Sequence, residues 1–144
     1  MVRPVTKVCH SPVDSQPQII GGLRRQLREL AHLFGALDGP RIADMEVGLT
    51  ELLTNVAEHV PDRRAVVTVD FLGSGGIVVR VRDSSDQSPA AGELSQDDDW
   101  LNLAEGGRGL ALVKATATSM NWRRIPGGKI VEAAYLPLPA ARHH

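Results

Sequence analysis

The sequence predicts an α+β sandwich, in which helices cover one face of a mixed, mostly antiparallel sheet. Three observations lead to this prediction. Two stretches with apolar residues at helical spacing precede a pair of predicted strands. A short glycine-rich turn joins that pair, and a third helix separates it from a second hairpin. Strands joined by tight turns pair antiparallel, and helices inserted between such hairpins can pack together on one side of the sheet.

Length and composition are those of one globular domain. The chain has 144 residues, of which 42% are apolar and 23% charged, so we expect residues 1–144 to form a single domain. The formal net charge of −1 argues against direct DNA binding. The single cysteine excludes an internal disulfide, and no apolar run reaches the roughly 20 residues that cross a bilayer. We therefore expect a cytoplasmic protein without a membrane contact.

The first quarter of the chain is predicted to hold a strand and a helix. Residues 1–10 are predicted to form a short strand. Residues 18–37 are predicted to form an amphipathic helix, because apolar side chains recur at helical spacing opposite a basic face. The turn residues Asp38, Gly39 and Pro40 are expected to end it. Its apolar positions are Ile19, Ile20, Leu23, Leu27, Leu30, Ala31 and Phe34.

A second helix is predicted over residues 42–60, and Pro61 ends it. Glu51, Asn55 and His59 follow at intervals of four residues and line one edge of its apolar stripe. A carboxylate there can accept a proton from an attacking group, and an amide oxygen is a ligand for Mg²⁺. From spacing alone, a polar helix shoulder without catalytic function is the alternative. The apolar stripe consists of Met45, Leu49, Leu52, Leu53, Val56 and Val60.

Two strands are predicted next, over residues 65–72 and 77–82, joined by the turn 73–76. The second strand alternates strictly, so one of its faces is expected to be buried. Asp83 continues the inward register, where a carboxylate needs a partner and could accept a hydrogen bond from the amino group of a purine. Alternatively, Asp83 caps the following turn. The inward residues of the strand are Ile77, Val79 and Val81.

A long loop is predicted over residues 84–108, which are rich in Ser, Asp, Gly and Pro. Long loops in compact domains are often functional lids. The loop ends in the glycine cluster 106–109, and a third helix is predicted to begin near Gly109. Glycines let backbone N–H groups approach a ligand, and a helix N-terminus attracts anions; a hinge and helix cap without a ligand is the alternative. A last strand pair is predicted over residues 120–125 and 129–136.

Together, these sites form an ordered set that resembles the GHKL ATP-binding superfamily, which includes gyrase-type topoisomerases and histidine kinases. Within it, the chain resembles the anti-sigma factor serine kinases of bacterial partner-switching systems. Residues 51–59 (ELLTNVAEH) resemble the N box of that family, and residues 81–83 (VRD) resemble the start of the next box. Residues 107–113 (GRGLALV) resemble the glycine-rich box of the lid, and residues 128–131 (GKIV) resemble the closing hairpin.

The resemblance implies the histidine kinase-like ATPase fold and a role for each matching residue. Glu51 would be the general base that acts on the attacking hydroxyl. Asn55 would coordinate Mg²⁺ at the ATP phosphates, and Asp83 would bind the amino group of adenine. Residues 84–108 would be the ATP lid, whose glycine-rich box would contact the phosphates. The residues of that box are Gly107, Arg108, Gly109 and Leu110.

The sequence departs from the family pattern at two places. The adenine box of the superfamily reads D-x-G-x-G, whereas residues 83–87 read DSSDQ and lack both glycines. Many members have a threonine that supports the adenine-binding aspartate, and here Ile130 stands at that place. We therefore expect Asp83 to be less well supported and nucleotide binding to be weaker than in the best-matching members.

The resemblance implies a Mg²⁺-ATP-dependent serine/threonine-protein kinase that phosphorylates an anti-sigma factor antagonist and sequesters a sigma factor. Such a protein regulates transcription through protein partners. The resemblance also allows a homodimer, for which no residue of the sequence gives evidence. The alternative is a binding module that keeps the fold, has lost strong nucleotide binding and holds a protein partner. The altered adenine box and Ile130 motivate this alternative.

Overall fold

A computed structural model describes residues 4–9, 13–34, 37–87 and 108–137. Strands and helices follow one another along these residues in the order that the sequence predicts, with one additional short strand. The elements are β1 (Pro4–Cys9), β2 (Val13–Asp14), α1 (Pro17–Phe34), α2 (Gly39–His59), β3 (Arg64–Leu72), β4 (Ile77–Asp83), α3 (Arg108–Thr116), β5 (Ser119–Ile125) and β6 (Gly128–Tyr135).

The described strands form one sheet in the order β1-β3-β4-β6-β5, and β2 also pairs with β3. Every described pair is antiparallel. The α+β prediction is confirmed. The register places Asp83, the last residue of β4, between Ala65 on β3 and Lys129 on β6. Because β4 and β6 are neighbours, the end of the β3–β4 hairpin lies beside the start of β6.

One face of the sheet forms the hydrophobic core with the helices. Ile77, Val79 and Val81 are each at most 1% exposed, which confirms the predicted inward face of β4. On the opposite face, Arg80 forms ion pairs with Asp70 and Glu132. Because the apolar side chains of β3, β4 and β6 share one face with α1, α2 and α3, the molecule has a layer of helices on a layer of sheet.

Helix α2 begins three residues earlier than predicted because Asp38 caps it. The Asp38 side chain accepts a hydrogen bond from the backbone N–H of Arg41 at 2.9 Å, and Pro40 occupies the first turn. The predicted apolar stripe is buried, and the helix ends at His59 as Pro61 requires. Asp38 therefore caps the start of α2, whereas α1 already ends at Phe34.

Several other boundaries also differ from the predictions. Helix α1 ends at Phe34, and α3 begins at Arg108, one residue before the predicted start. Strand β2 is only two residues long, so it has no periodicity that a sequence pattern can reveal. Of the predicted lid, residues 88–107 lie outside the described residues. None of the described helices has the length and apolar character to span a membrane.

Candidate functional site

Glu51 and Asn55 lie one turn apart on α2, at the margin of its buried stripe. Asn55 is only 6% exposed. Its Oδ1 atom has no hydrogen-bond partner among the described residues. Because an unpaired buried amide oxygen costs stability, a position of this kind is typical of an atom that serves a ligand.

The carboxylate of Glu51 lies against Gly109 in the first turn of α3. A β-carbon at residue 109 would overlap Oε2 of Glu51 and would stand 2.8 Å from its carboxyl carbon. Only glycine lets the start of α3 approach α2 this closely. The structure therefore brings together Glu51 and Gly109, which are 58 positions apart in the sequence.

Burial raises the pKa of the Glu51 carboxyl, and the nearby charge of Glu58 raises this pKa further. Both causes disfavour the ionised carboxylate because one removes water and the other adds a like charge. A carboxylate with a raised pKa binds a proton more readily than an ordinary glutamate. This is the property that a general base requires near neutral pH.

The other three residues of the glycine-rich box of the lid have different positions in the structure. Gly107 lies outside the described residues. Arg108 is the first residue of α3. Leu110 is 1% exposed and belongs to the hydrophobic core, so its side chain anchors α3 and only its backbone could meet a ligand. The backbone of residues 108–110 forms the N-terminal turn of a helix, where N–H groups are free to bind anions.

Asp83 is buried at the end of β4, and its carboxylate accepts hydrogen bonds from two groups of the described residues. Its Oδ1 atom accepts a hydrogen bond from Nζ of Lys129 at 3.0 Å and another from the backbone N–H of Ser85 at 2.8 Å. The carboxylate is thus buried in the inward register of β4 and also caps the turn, whereas its hydrogen bond to a purine amino group stays a prediction. The side chains of Asp83 and Lys129 are 1% and 2% exposed.

Sequence reasoning missed the role of Lys129. The expectation that Asp83 is less well supported, because Ile130 stands in place of a threonine, did not take into account that the preceding residue, Lys129, donates a hydrogen bond to it. Gly128 makes this possible, because a β-carbon there would overlap the carbonyl oxygen of Asp83. No local signal in the sequence reveals this pair, because β4 and β6 are neighbours in the sheet but are separated in the chain by α3 and β5.

A cavity of about 460 Å³ opens at the end of the sheet beside Asp83. Its volume is within the range of small-molecule sites. Glu51, Asn55 and Gly109 do not line this cavity, so the α2–α3 contact and the cavity are separate features of the described residues. The lining includes Asp62, Arg64, Arg82, Ser84, Pro126 and Gly127.

The donor set on α2 fits Mg²⁺ better than a transition metal. Magnesium prefers oxygen ligands and needs few from the protein, because phosphates and water complete its shell. The Oδ1 atom of Asn55, which has no partner among the described residues, is an oxygen of this kind. No cluster of three or more His, Cys, Asp or Glu side chains that could hold a metal is present in the described part of the chain. His59 lies at the end of α2, where its Nε2 is 3.8 Å from the Glu58 carboxylate.

Comparisons with known proteins agree with this architecture. A family model described as a histidine kinase-like ATPase domain matches residues 13–135. Among solved structures, the RsbU and RsbW domains of Rv1364c from Mycobacterium tuberculosis match with a TM-score of 0.67 and 24% identity, over 95% of this chain and 34% of that chain. The SiaB–SiaC complex from Pseudomonas aeruginosa matches with a TM-score of 0.61 and 12% identity, over 90% of this chain and 88% of that chain. No curated protein matches significantly in sequence.

Proposed function

The chain belongs to the histidine kinase-like ATPase domain family, and from this premise we propose that it is a Mg²⁺-ATP-dependent serine/threonine-protein kinase. Its substrate is an anti-sigma factor antagonist, and it also sequesters a sigma factor. The observation that carries the proposal is the contact of the Glu51 carboxylate with Gly109 at the start of α3. This contact joins a candidate base to a helix N-terminus that can bind phosphate.

Three features of the chain have defined tasks in this proposal. Glu51 takes the proton of the attacking hydroxyl, for which its raised pKa suits it. The backbone N–H groups at the start of α3 bind phosphate oxygens. Asn55 Oδ1 holds Mg²⁺, which supplies charge neutralisation at the phosphates when bound. Phosphoryl transfer depends mainly on such positioning and charge compensation.

The proposed partners are supported by the neighbours of the fold. One neighbour is an RsbW domain solved with an RsbU domain, and the other is part of a complex between SiaB and SiaC. This chain spans about a third of the first neighbour's chain and most of the second. These neighbours favour a partner-switching regulator that binds an anti-sigma factor antagonist.

Calorimetric titration with ATP tests the proposal. We expect wild-type protein to bind ATP with a dissociation constant in the micromolar range when Mg²⁺ is present, and to lose at least tenfold in affinity without it. Asn55→Ala is expected to remove the effect of Mg²⁺. Asn121→Ala, at an exposed asparagine of β5, is the matched control and should bind like the wild type. The absence of heat and of thermal stabilisation at millimolar ATP would overturn the proposal.

A second function, a binding module without kinase activity, is favoured by one observation. The carboxylate proposed to read adenine already accepts a hydrogen bond from the ammonium group of Lys129. If nucleotide binding is absent, the fold would serve to hold a protein partner. Transfer of labelled phosphate from ATP to the cognate antagonist distinguishes the two functions, because a binding module transfers none.

A further inference from the structure

The ion pair of Asp83 and Lys129 lies at the place where the proposed function puts recognition of the base. The two residues are directly opposite each other on β4 and β6. Lys129 Nζ and Asp83 Oδ1 are 3.0 Å apart, and the two side chains are almost fully excluded from solvent. The backbone N–H of Ser85 donates to the same oxygen. This carboxylate is therefore saturated on Oδ1 and neutralised by a charge within the protein.

A purine amino group cannot take the place of Lys129. It is neutral, so displacing the ammonium group would leave one charge of a buried pair uncompensated, which is strongly unfavourable. The carboxylate that is already paired with a cation is also a weaker acceptor for a further neutral donor. An amino group at position 6 of a purine thus gains little from Asp83 while Lys129 remains in place.

The ion pair of Asp83 with Lys129 also offsets the repulsion that an unpaired carboxylate would exert on an oxygen at position 6 of a purine. A 6-oxo group that faces an isolated carboxylate meets a like partial charge and lacks a donor. Beside Asp83, the ammonium group of Lys129 supplies positive charge and N–H donors. The site therefore treats amino and oxo substituents of the purine more evenly than an unpaired aspartate would.

We propose that Lys129 is a specificity-determining residue that occupies Asp83 and makes nucleotide binding insensitive to whether the purine carries an amino or an oxo group at position 6. This inference rests on the proposed function, because it concerns the base subsite of the same nucleotide site. It predicts a protein that binds purine nucleoside triphosphates broadly, and it assigns the loss of adenine selectivity to one side chain.

The test compares Mg²⁺-ATP with Mg²⁺-ITP, which differs from ATP in having an oxo group in place of the 6-amino group. Calorimetric titration of the wild-type chain should give dissociation constants within about threefold of each other. In Lys129→Thr, the carboxylate is released, so ATP should be preferred by about 10- to 100-fold, as expected for a hydrogen bond to a charged acceptor. Lys114→Thr, on the exposed side of α3, is the control and should keep the wild-type ratio.

Each result has a distinct meaning. A wild-type preference for ATP of tenfold or more would overturn the inference while nucleotide binding itself stands. An unchanged ratio in folded Lys129→Thr would also overturn it. If Lys129→Thr does not fold, Lys129→Gln provides the same comparison without the charge. Binding of ATP by a Lys129 variant but not by the wild type would overturn the inference, because the inference requires the wild-type chain to bind purine nucleotides. The absence of binding to every variant would overturn the proposed function and this inference with it.

Discussion

The carboxylate of Glu51 on α2 lies directly against the α-carbon of Gly109 on α3. Because there is no space for a β-carbon between them, the position of the candidate base and the position of the α3 N-terminus depend on each other. Helix α3 follows the segment predicted to be the lid. A change in the start of α3 therefore alters the surroundings of Glu51 directly.

Gly109→Ala is expected to impair phosphoryl transfer more than folding. The new methyl group forces the Glu51 side chain to move, and a displacement of about 1 Å at a reacting group can lower the rate by about 100-fold. Alanine favours a helix by about 1 kcal/mol over glycine, which offsets the cost of the displaced side chain. We expect the free energy of unfolding to change by less than about 1 kcal/mol. ATP turnover and urea unfolding measure the two effects.

Gly22→Ala is the matched control for this prediction. A β-carbon at Gly22, within α1, would meet no atom within 4 Å. The substitution should stabilise the protein slightly and leave ATP turnover at the wild-type rate. Equal turnover in Gly109→Ala and Gly22→Ala would contradict the idea that Glu51 must keep its place beside α3.

Glu51→Gln is expected to be more thermostable than the wild type at neutral pH. Burial raises the pKa of Glu51, so the folded protein releases this proton at higher pH than the unfolded chain. The contribution of Glu51 to stability is therefore complete below the usual pKa of 4.5 and is lost as pH rises through the raised pKa. Glutamine never ionises, so the gain in Tm should grow as pH rises from 4.5 through the raised pKa of Glu51.

The same series tests the catalytic role of Glu51. Loss of a general base lowers the rate of proton transfer by about 100- to 10,000-fold, so ATP turnover by Glu51→Gln should fall within this range while ATP affinity is retained. Glu29→Gln, at an exposed position of α1, is the control for both measurements. A constant difference in Tm across the pH series would show that ionisation of Glu51 does not contribute.

The local pattern of the sequence predicted the elements and most of the core, because spacing along one helix or strand fixes which residues share a face. The pairing of Glu51 with Asn55 and the inward direction of Asp83 are predictions of this kind. The contact of Glu51 with Gly109 and the ion pair of Asp83 with Lys129 join distant segments. They depend on helix packing and strand register, and a one-residue shift of β6 would place Ile130 opposite Asp83 instead.

Asn55→Leu should stabilise the protein and abolish its response to Mg²⁺-ATP. The buried Oδ1 of Asn55 has no partner among the described residues. Such an atom costs about 1–3 kcal/mol, and leucine of similar size removes that cost. Differential scanning fluorimetry should show a higher Tm without ligand and no shift on adding Mg²⁺-ATP. A lower Tm would indicate that this oxygen is already satisfied in the folded protein.

Arg41 connects the start of α2 with the end of α3, and its removal should destabilise the fold. Arg41 is 6% exposed, and its guanidinium group donates to the carbonyl of Thr116 and, at 2.8 Å, to the hydroxyl of Thr118. Hydrogen bonds from a charged group contribute about 1.5–3 kcal/mol. Arg41→Met should therefore lower the free energy of unfolding by about 2–4 kcal/mol. Urea unfolding measures this loss, and exposed Arg24→Met should cost less than about 0.5 kcal/mol.

Tyr135 is the single tyrosine of the chain and reports on the packing of α2 against β6. It is fully buried, and its hydroxyl lies against Gly48 of α2 without a hydrogen-bond partner in the described ranges. Burial raises the pKa of the Tyr135 hydroxyl to about 12. In native protein, the near-ultraviolet absorbance of tyrosinate should therefore develop near pH 12, and in urea it should develop near the usual pKa of 10.0.

The raised pKa of Tyr135 also predicts that the protein loses stability at alkaline pH. The unfolded chain releases the tyrosine proton first, so the contribution of Tyr135 is complete below pH 10.0 and is lost as pH rises to about 12. The change of this pKa from 10.0 to about 12 corresponds to roughly 3 kcal/mol. Tyr135→Phe should not show this loss, and its advantage over wild type should grow across that range. Tyrosinate that forms near pH 10 while circular dichroism still reports folded protein would contradict the burial of this hydroxyl between α2 and β6.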